Sequence, residues 1–297
     1  MLNRIALIGP GAIGGCIAAQ LLAAAKCDLS IAARTPFETL AVEQPDGSVL
    51  ESRPVFIDSS DAPELPFDWL LVATKAYDAA GTAAWLDALV SPTTRVAILQ
   101  NGVEHRERFR EHVPAERLLP VMIDLPAERT APGRIRQRGK GVLRVPDDPL
   151  GREFVALLAG TTLDVATSAD FVSVLWRKLA VNTPGAVNAL LLQPNRIAHD
   201  PAIADLMRGI ILETIAVGRA EGARLDDSLA EKILASQCAA APDGVNSILG
   251  DRLAGRTMES DARNGAVVRA GLRHNIPTPL NTMAFTLLEA QQPRRDP

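Results

Sequence analysis

Gly9, Gly11 and Gly14 form a G-x-G-x-x-G turn within the stretch GPGAIG, between the apolar run at residues 4–8 (RIALI) and an Ala/Leu-rich segment. In a strand–turn–helix setting the first glycine allows the tight turn. The second lets the backbone approach a pyrophosphate, and the third lets helix and strand pack closely. Free N–H groups at the helix start then face the anion. Gly9, Pro10, Gly11, Ala12, Ile13 and Gly14 are therefore expected to cradle a dinucleotide. Twenty residues beyond Gly14 stands Arg34. An NAD site carries an acid near that point for the ribose 2′-hydroxyl, whereas a guanidinium suits a 2′-phosphate. The cofactor expected is NADP(H); the competing reading of Arg34 is a solvated surface arginine.

The elements that must position these groups alternate in the first half. Residues 4–8, 28–33, 69–74 and 95–99 are short apolar runs that suit buried parallel strands. Residues 15–25 and 79–90 suit helices between them. The expectation is an α/β Rossmann-type, doubly wound parallel sheet. Residues 134–145 (RIRQRGKGVLRV) read as later strand material whose basic side chains solvate an edge. From about residue 170 the pattern turns helical, with Phe171, Val174, Leu175 and Leu179 on one face. Segments 203–220, 229–239 and 266–272 read as further helices. This gives a dinucleotide-binding domain over 1–168 and an all-helical domain over 169–297, with a frayed tail at 291–297.

With 297 residues, 47% hydrophobic and 22% charged, the chain suits two soluble globular domains rather than disorder. The balance of 31 basic against 35 acidic residues gives a net charge of −4, which argues against a general nucleic-acid binder. Residues 5–25 carry no charge, yet Gly9, Pro10, Gly11, Gly14 and Gly15 interrupt them too early for a signal peptide or a membrane span. Three scattered cysteines and four histidines show no CxxC, HxxxH or HExxH spacing, so no metal site is expected and a reducing cytoplasm is the simplest compartment.

Five pieces in chain order then carry a family resemblance: GPGAIG with Arg34; Val72-Ala73-Thr74-Lys75-Ala76; Leu99-Gln100-Asn101-Gly102-Val103; Trp176-Arg177-Lys178-Leu179-Ala180-Val181-Asn182; and Gly255-Arg256-Thr257-Met258-Glu259-Ser260-Asp261 with Asn264-Gly265 and Asn275-Ile276-Pro277. Together they resemble the ketopantoate reductases (2-dehydropantoate 2-reductases) over nearly the whole chain. The resemblance implies NADPH-dependent reduction of ketopantoate, a small 2-oxo acid, to pantoate in pantothenate and coenzyme A biosynthesis. It casts Lys178 as the proton donor to the ketone oxygen and Glu259 as the glutamate near it. Lys75 and Asn101 become contacts around the nicotinamide half, and Ala127 a backbone contact to the cofactor. Asn182, Asn188, Asn195 and Ser247 become substrate contacts in a cleft against the helical domain.

Elementary chemistry agrees with the central role. Hydride addition to a ketone builds negative charge on oxygen, which an ammonium stabilises and protonates. Lys178 and Asn182 are four apart and share a helix face. One departure stands out: the family's second asparagine, a turn after Asn182, falls on Ala186, and Asn188 lies half a turn away. Pro184-Gly185 must interrupt the helix between them. A paralogous reductase of another small carbonyl compound and a non-catalytic NADPH-binding sensor therefore stay open, as does a homodimer.

Overall fold

The computed structural model describes residues 2–58 and 65–293. Contacts divide the chain into two compact units, Met1–Phe171 and Val172–Pro297.

In chain order the first unit runs β1 (Asn3–Ile8), α1 (Ala12–Ala24), β2 (Cys27–Ala32), β3 (Leu40–Glu43), β4 (Val49–Ser52), β5 (Val55–Ile57), β6 (Trp69–Val72), α2 (Ala79–Leu89), β7 (Arg95–Ile98), α3 (His105–Phe109), β8 (Leu118–Pro120), β9 (Met122–Asp124), β10 (Ala127–Ala131), β11 (Arg134–Gln137), β12 (Val142–Pro146), α4 (Pro149–Leu157) and β13 (Asp164–Ser168). Six strands form one sheet in the order β5-β2-β1-β6-β7-β8, and every pair in it is parallel. The order reverses between β1 and β6, the kind of switch point where ligands bind outside the strands' carboxyl ends. Alternation along β1 feeds two cores. Ile5 and Leu7 join Ile17, Leu29 and Trp69 on one face, while Ala6 and Ile8 join Leu70, Val96 and Phe109 on the other.

Two smaller sheets complete the unit, β10-β11-β3-β4 and β13-β12-β9. Cys16 and Ile17 of α1 pack in one cluster with β1 on one side and with Leu40, Val42 and Ile135 of the four-stranded sheet on the other. A helix with sheets on both sides must be apolar all round, which explains the uncharged run at residues 5–25. Burial also pushes the Cys16 thiol up to about 12, so it stays a protonated packing group. The basic segment at 134–145 does not lie on an edge. Arg136 of β11, an inner strand, pairs with Glu43 at 2.8 Å, and Arg144 of β12, also inner, pairs with Asp164 at 3.0 Å. Neighbouring carboxylates absorb the charge that the sequence reading gave to solvent.

The second unit is helical: α5 (Phe171–Asn182), α6 (Gly185–Leu191), α7 (Pro201–Ala220), α8 (Ser228–Ala239), α9 (Ser247–Leu253), a π-helical turn (Asp261–Gly265), α10 (Ala266–His274) and α11 (Pro279–Glu289). Pro201 at its first position and the Asp200 carboxylate, accepting from Ala202 and Ile203 N–H, start α7. Gly218 of α7 leaves room for Trp176 of α5: a Cβ there would lie 3.0 Å from the indole. The segment after α11 is tied down rather than frayed. Gln292 accepts from Met258 N–H at 2.9 Å and donates to Met258 C=O at 3.0 Å. Residues 294–297 of the expected tail lie outside the described residues. No helix among the described residues is long and apolar enough to cross a membrane.

Candidate active site

In the first unit, the candidate cofactor residues leave the carboxyl ends of neighbouring strands. Gly9 N–H donates to Ala32 C=O at 3.1 Å, Ala73 N–H to Ile8 C=O at 2.9 Å and Leu99 N–H to Val72 C=O at 2.7 Å. The pairing thus runs past β1, β6 and β7 and brings the glycine turn, Lys75 and Asn101 to one sheet edge. Gly9 has φ +89°, and a Cβ on it would meet Thr74 N at 2.9 Å. A Cβ on Gly14 would run into the Gly9 carbonyl oxygen and lie 2.9 Å from the Ala73 Cβ. Those two glycines are demanded by the protein itself. Gly11 is not: a Cβ there meets nothing within 4 Å. Gly11 is also the N-cap of α1, so its missing side chain leaves backbone open at a helix start, where N–H groups attract phosphate. Gly9 to Gly14 could hold a dinucleotide pyrophosphate.

Arg34 follows β2 and is exposed; its guanidinium donates to the Asp78 carboxylate at 2.8 Å. Asp78 ends the 3₁₀ turn that follows Lys75. A directed relay braces this edge. Gln100 Nε2 donates to Thr74 Oγ1 at 3.0 Å, Thr74 meets Thr82 Oγ1 at 2.7 Å, and Thr82 donates to Asp78 C=O at 2.9 Å. His105 is fully buried, and Nε2 lies 2.8 Å from the Gln100 carbonyl, so that nitrogen carries the proton. Burial, with the Arg108 charge behind it, lowers its pKa to about 4 and keeps the ring neutral. It anchors the turn that presents Asn101. Ala127 lies on a different sheet: it begins β10 in the four-stranded sheet, opposite Gln137, and packs against the same core cluster as Ile13 of α1.

In the second unit, Lys178 and Asn182 lie a turn apart near the end of α5, both half-buried. Thr183 and Pro184 separate α5 from α6, so the break forced by Pro184-Gly185 is present. Ala186 is fully buried. Asn188 is buried too, and its amide donates to the Gln193 and Pro194 carbonyls at 3.0 and 3.2 Å, closing the end of α6. Asn195, just beyond, donates to Ala241 C=O at 3.2 Å. Ser247 opens α9 and is exposed; its Oγ accepts from Arg263 Nη2 at 2.7 Å. Glu259 is buried directly before the π-helical turn, on the segment that Gln292 clamps. The turn's wide bond from Gly265 N–H to Ser260 C=O, at 3.1 Å, brings Arg263 and Asn264 both inside. Asn264 donates to Thr183 C=O at 3.2 Å, tying the turn to the end of α5.

Comparison with known proteins follows the same two-part division. The family signature "Ketopantoate reductase PanE/ApbA" matches residues 5–149, and its C-terminal counterpart matches residues 170–292. The chain belongs to the ketopantoate reductase family. It is 50% identical over 289 residues to a 2-dehydropantoate 2-reductase of Caulobacter vibrioides, covering 97% of this chain and 99% of that one. A 2-dehydropantoate 2-reductase of Mycobacterium tuberculosis is 35% identical over 98% of both chains. The crystal structure of the 2-dehydropantoate 2-reductase of Geobacter metallireducens superposes with a TM-score of 0.88 at 29% identity, over 97% of this chain and 99% of that chain.

Within this ketopantoate reductase family member, sequence reasoning passed over four residues that shape the site. Gln100, Thr82 and Asp78 brace the candidate cofactor edge; Gln100 stands in the Leu99–Val103 piece with no role given to it, and no motif marks Thr82 or Asp78. Arg263 had a signal: it stands four residues after Glu259, the spacing that puts two side chains on one helical face.

Proposed function

We propose that the protein is an NADPH-dependent 2-dehydropantoate 2-reductase, producing pantoate for pantothenate and coenzyme A synthesis. The observation that carries this reading is full-length identity of 50% to the Caulobacter vibrioides enzyme of that name. The open backbone at Gly11 and the exposed Arg34 suit a pyrophosphate and a 2′-phosphate. Gly9 to Gly14 and Arg34 would hold NADPH, which would supply the hydride for reduction at C2 of the substrate. Lys178 Nζ holds the ketone oxygen, stabilises its growing charge and gives it a proton, leaving a 2-hydroxy acid and a neutral amine that solvent reprotonates. Glu259 serves beside that lysine, Lys75 and Asn101 orient the nicotinamide half, and Ala127 offers its backbone to the cofactor. Asn182, Asn195 and Ser247 supply polar contacts to substrate. Asn188 serves through Asn195, by holding the segment that leads to it. The expected compartment is the cytoplasm, and a homodimer stays open.

The test is NADPH oxidation with ketopantoate, with pyruvate and other 2-oxo acids for comparison. Lys178→Ala is expected to lower kcat about 10²- to 10⁴-fold with NADPH affinity unchanged; near-normal turnover removes Lys178 from its role. A second reading, reduction of another 2-oxo acid, is favoured by Ala186, which has no polar group, and by Asn188, whose two amide N–H donors are held by the Gln193 and Pro194 carbonyls. A preference for another acid in that panel selects it.

A further inference from the structure

Arg263 is 3% exposed, inside the π-helical turn, and it belongs to none of the roles assigned above. A buried guanidinium is costly unless countered. Two buried carboxylates counter it, Glu259 four residues earlier and Asp251 on α9, and both oppose the effect of burial on its pKa. Its Nη2 donates to Ser247 Oγ, and its Nε has no partner among the described residues. An arginine with an unspent buried donor is not explained by packing alone.

Ser247 is the other half of the observation. As the first residue of α9 it could have capped the helix, but Asn246 does this, its Oδ1 accepting from Leu249 N–H at 3.0 Å. A hydroxyl has one hydrogen to donate, and a guanidinium only donates. With Arg263 occupying a lone pair, the hydroxyl hydrogen must point away from it, toward an acceptor. Ser247 as a residue is exposed, although its bond to Arg263 is part-buried. Glu259 and Asp251 offset the guanidinium charge behind it, so a preference for an anion in front rests on the hydroxyl hydrogen, for which a carboxylate is a stronger acceptor than an ester carbonyl.

We propose that Arg263 is a positioning residue for substrate, fixing Ser247 as a hydrogen-bond donor to the carboxylate of the 2-oxo acid. This rests on the reading of Ser247 as a substrate contact. Arg263 itself touches the hydroxyl and not the substrate. The arrangement sets a preference for a carboxylate over its uncharged ester.

The experiment compares kcat/KM for ketopantoate and for its methyl ester in the whole enzyme, Ser247→Ala, Arg263→Gln, Arg263→Lys and the Arg263→Lys/Ser247→Ala double variant. Melting temperature and NADPH affinity are followed in each. Ser247→Ala is expected to raise the KM for the acid about tenfold, the worth of one charge-assisted hydrogen bond. Arg263→Gln and Arg263→Lys are expected to raise it severalfold, with NADPH affinity unchanged and the acid-to-ester ratio reduced. The double variant is expected to match Ser247→Ala, because the two residues act through one hydroxyl. If Arg263→Gln fails to fold, Arg263→Lys keeps the charge and carries the test. A normal KM and acid-to-ester ratio in Arg263→Lys, or independent effects that multiply in the double variant, overturns the proposal while leaving Ser247 in place. No effect of Ser247→Ala overturns the reading of Ser247 itself, and this proposal with it.

Discussion

Gly11 and Gly14 belong to one motif, yet the protein needs them for different reasons. A side chain at Gly14 collides with backbone, while one at Gly11 meets nothing within 4 Å. Gly14→Ala is expected to cost about 1–3 kcal/mol of stability, the usual cost of overpacking. Gly11→Ala is expected to melt within a degree or so of the parent, since little else changes at an open site, but to bind NADPH more weakly. Denaturant titration and cofactor titration of the pair separate the two roles; a loss of stability in Gly11→Ala would contradict its open surroundings. The motif was legible in the sequence, but which glycine is demanded by packing and which is left open was not, because that depends on Thr74 and Ala73, some sixty residues away. Asn188 shows the same limit. Its amide chemistry fits a substrate contact, but the left-handed residue Leu192 folds the chain back so that two carbonyls take its donors.

Among the elements, the strongly patterned ones were readable. The strands β1, β2, β6 and β7 and the helices α1, α2, α5, α7, α8 and α10 all lie where apolar runs or periodicity put them, to within a few residues. The short strands β3, β4, β5, β9 and β10 are three to five residues each, too brief to show a period, and tertiary pairing alone defines them. The loop after β7 carries its own pH signature. His105 has a pKa of about 4 in the fold against about 6.5 for a free imidazole. Between these values the unfolded chain binds the extra proton, so stability rises with pH and is lost as pH falls from 6.5 toward 4. The loss expected is about 3 kcal/mol in full. Melting of the parent and of His105→Asn from pH 7 to pH 4.5 checks it: the parent's slope is expected to flatten in the variant, and equal slopes would assign the proton elsewhere.

For the whole molecule, the proposed function assigns each unit its own labour: phosphate binding by backbone to the first, proton handling and polar contacts by side chains to the second. Only the native first unit is expected to bind NADPH, so NADPH at about 100 times its Kd should stabilise that unit by about 2.7 kcal/mol. Calorimetry is expected to show this shift, with a smaller one for NADH and little difference between the two cofactors in Arg34→Ala. An equal shift for both cofactors in the parent would remove Arg34 from the 2′-phosphate. The division into units was visible in the sequence because periodicity changes near residue 170, whereas the Arg34–Asp78 pair was not, since no local pattern links residues 44 apart. The placement of α1 has a last consequence. This helix is packed on one side by the parallel sheet and on the other by Leu40, Val42 and Ile135. Its leading amides are thus ordered in advance, and under the proposed function a pyrophosphate captured there would forfeit little conformational entropy, leaving more of the binding energy as affinity.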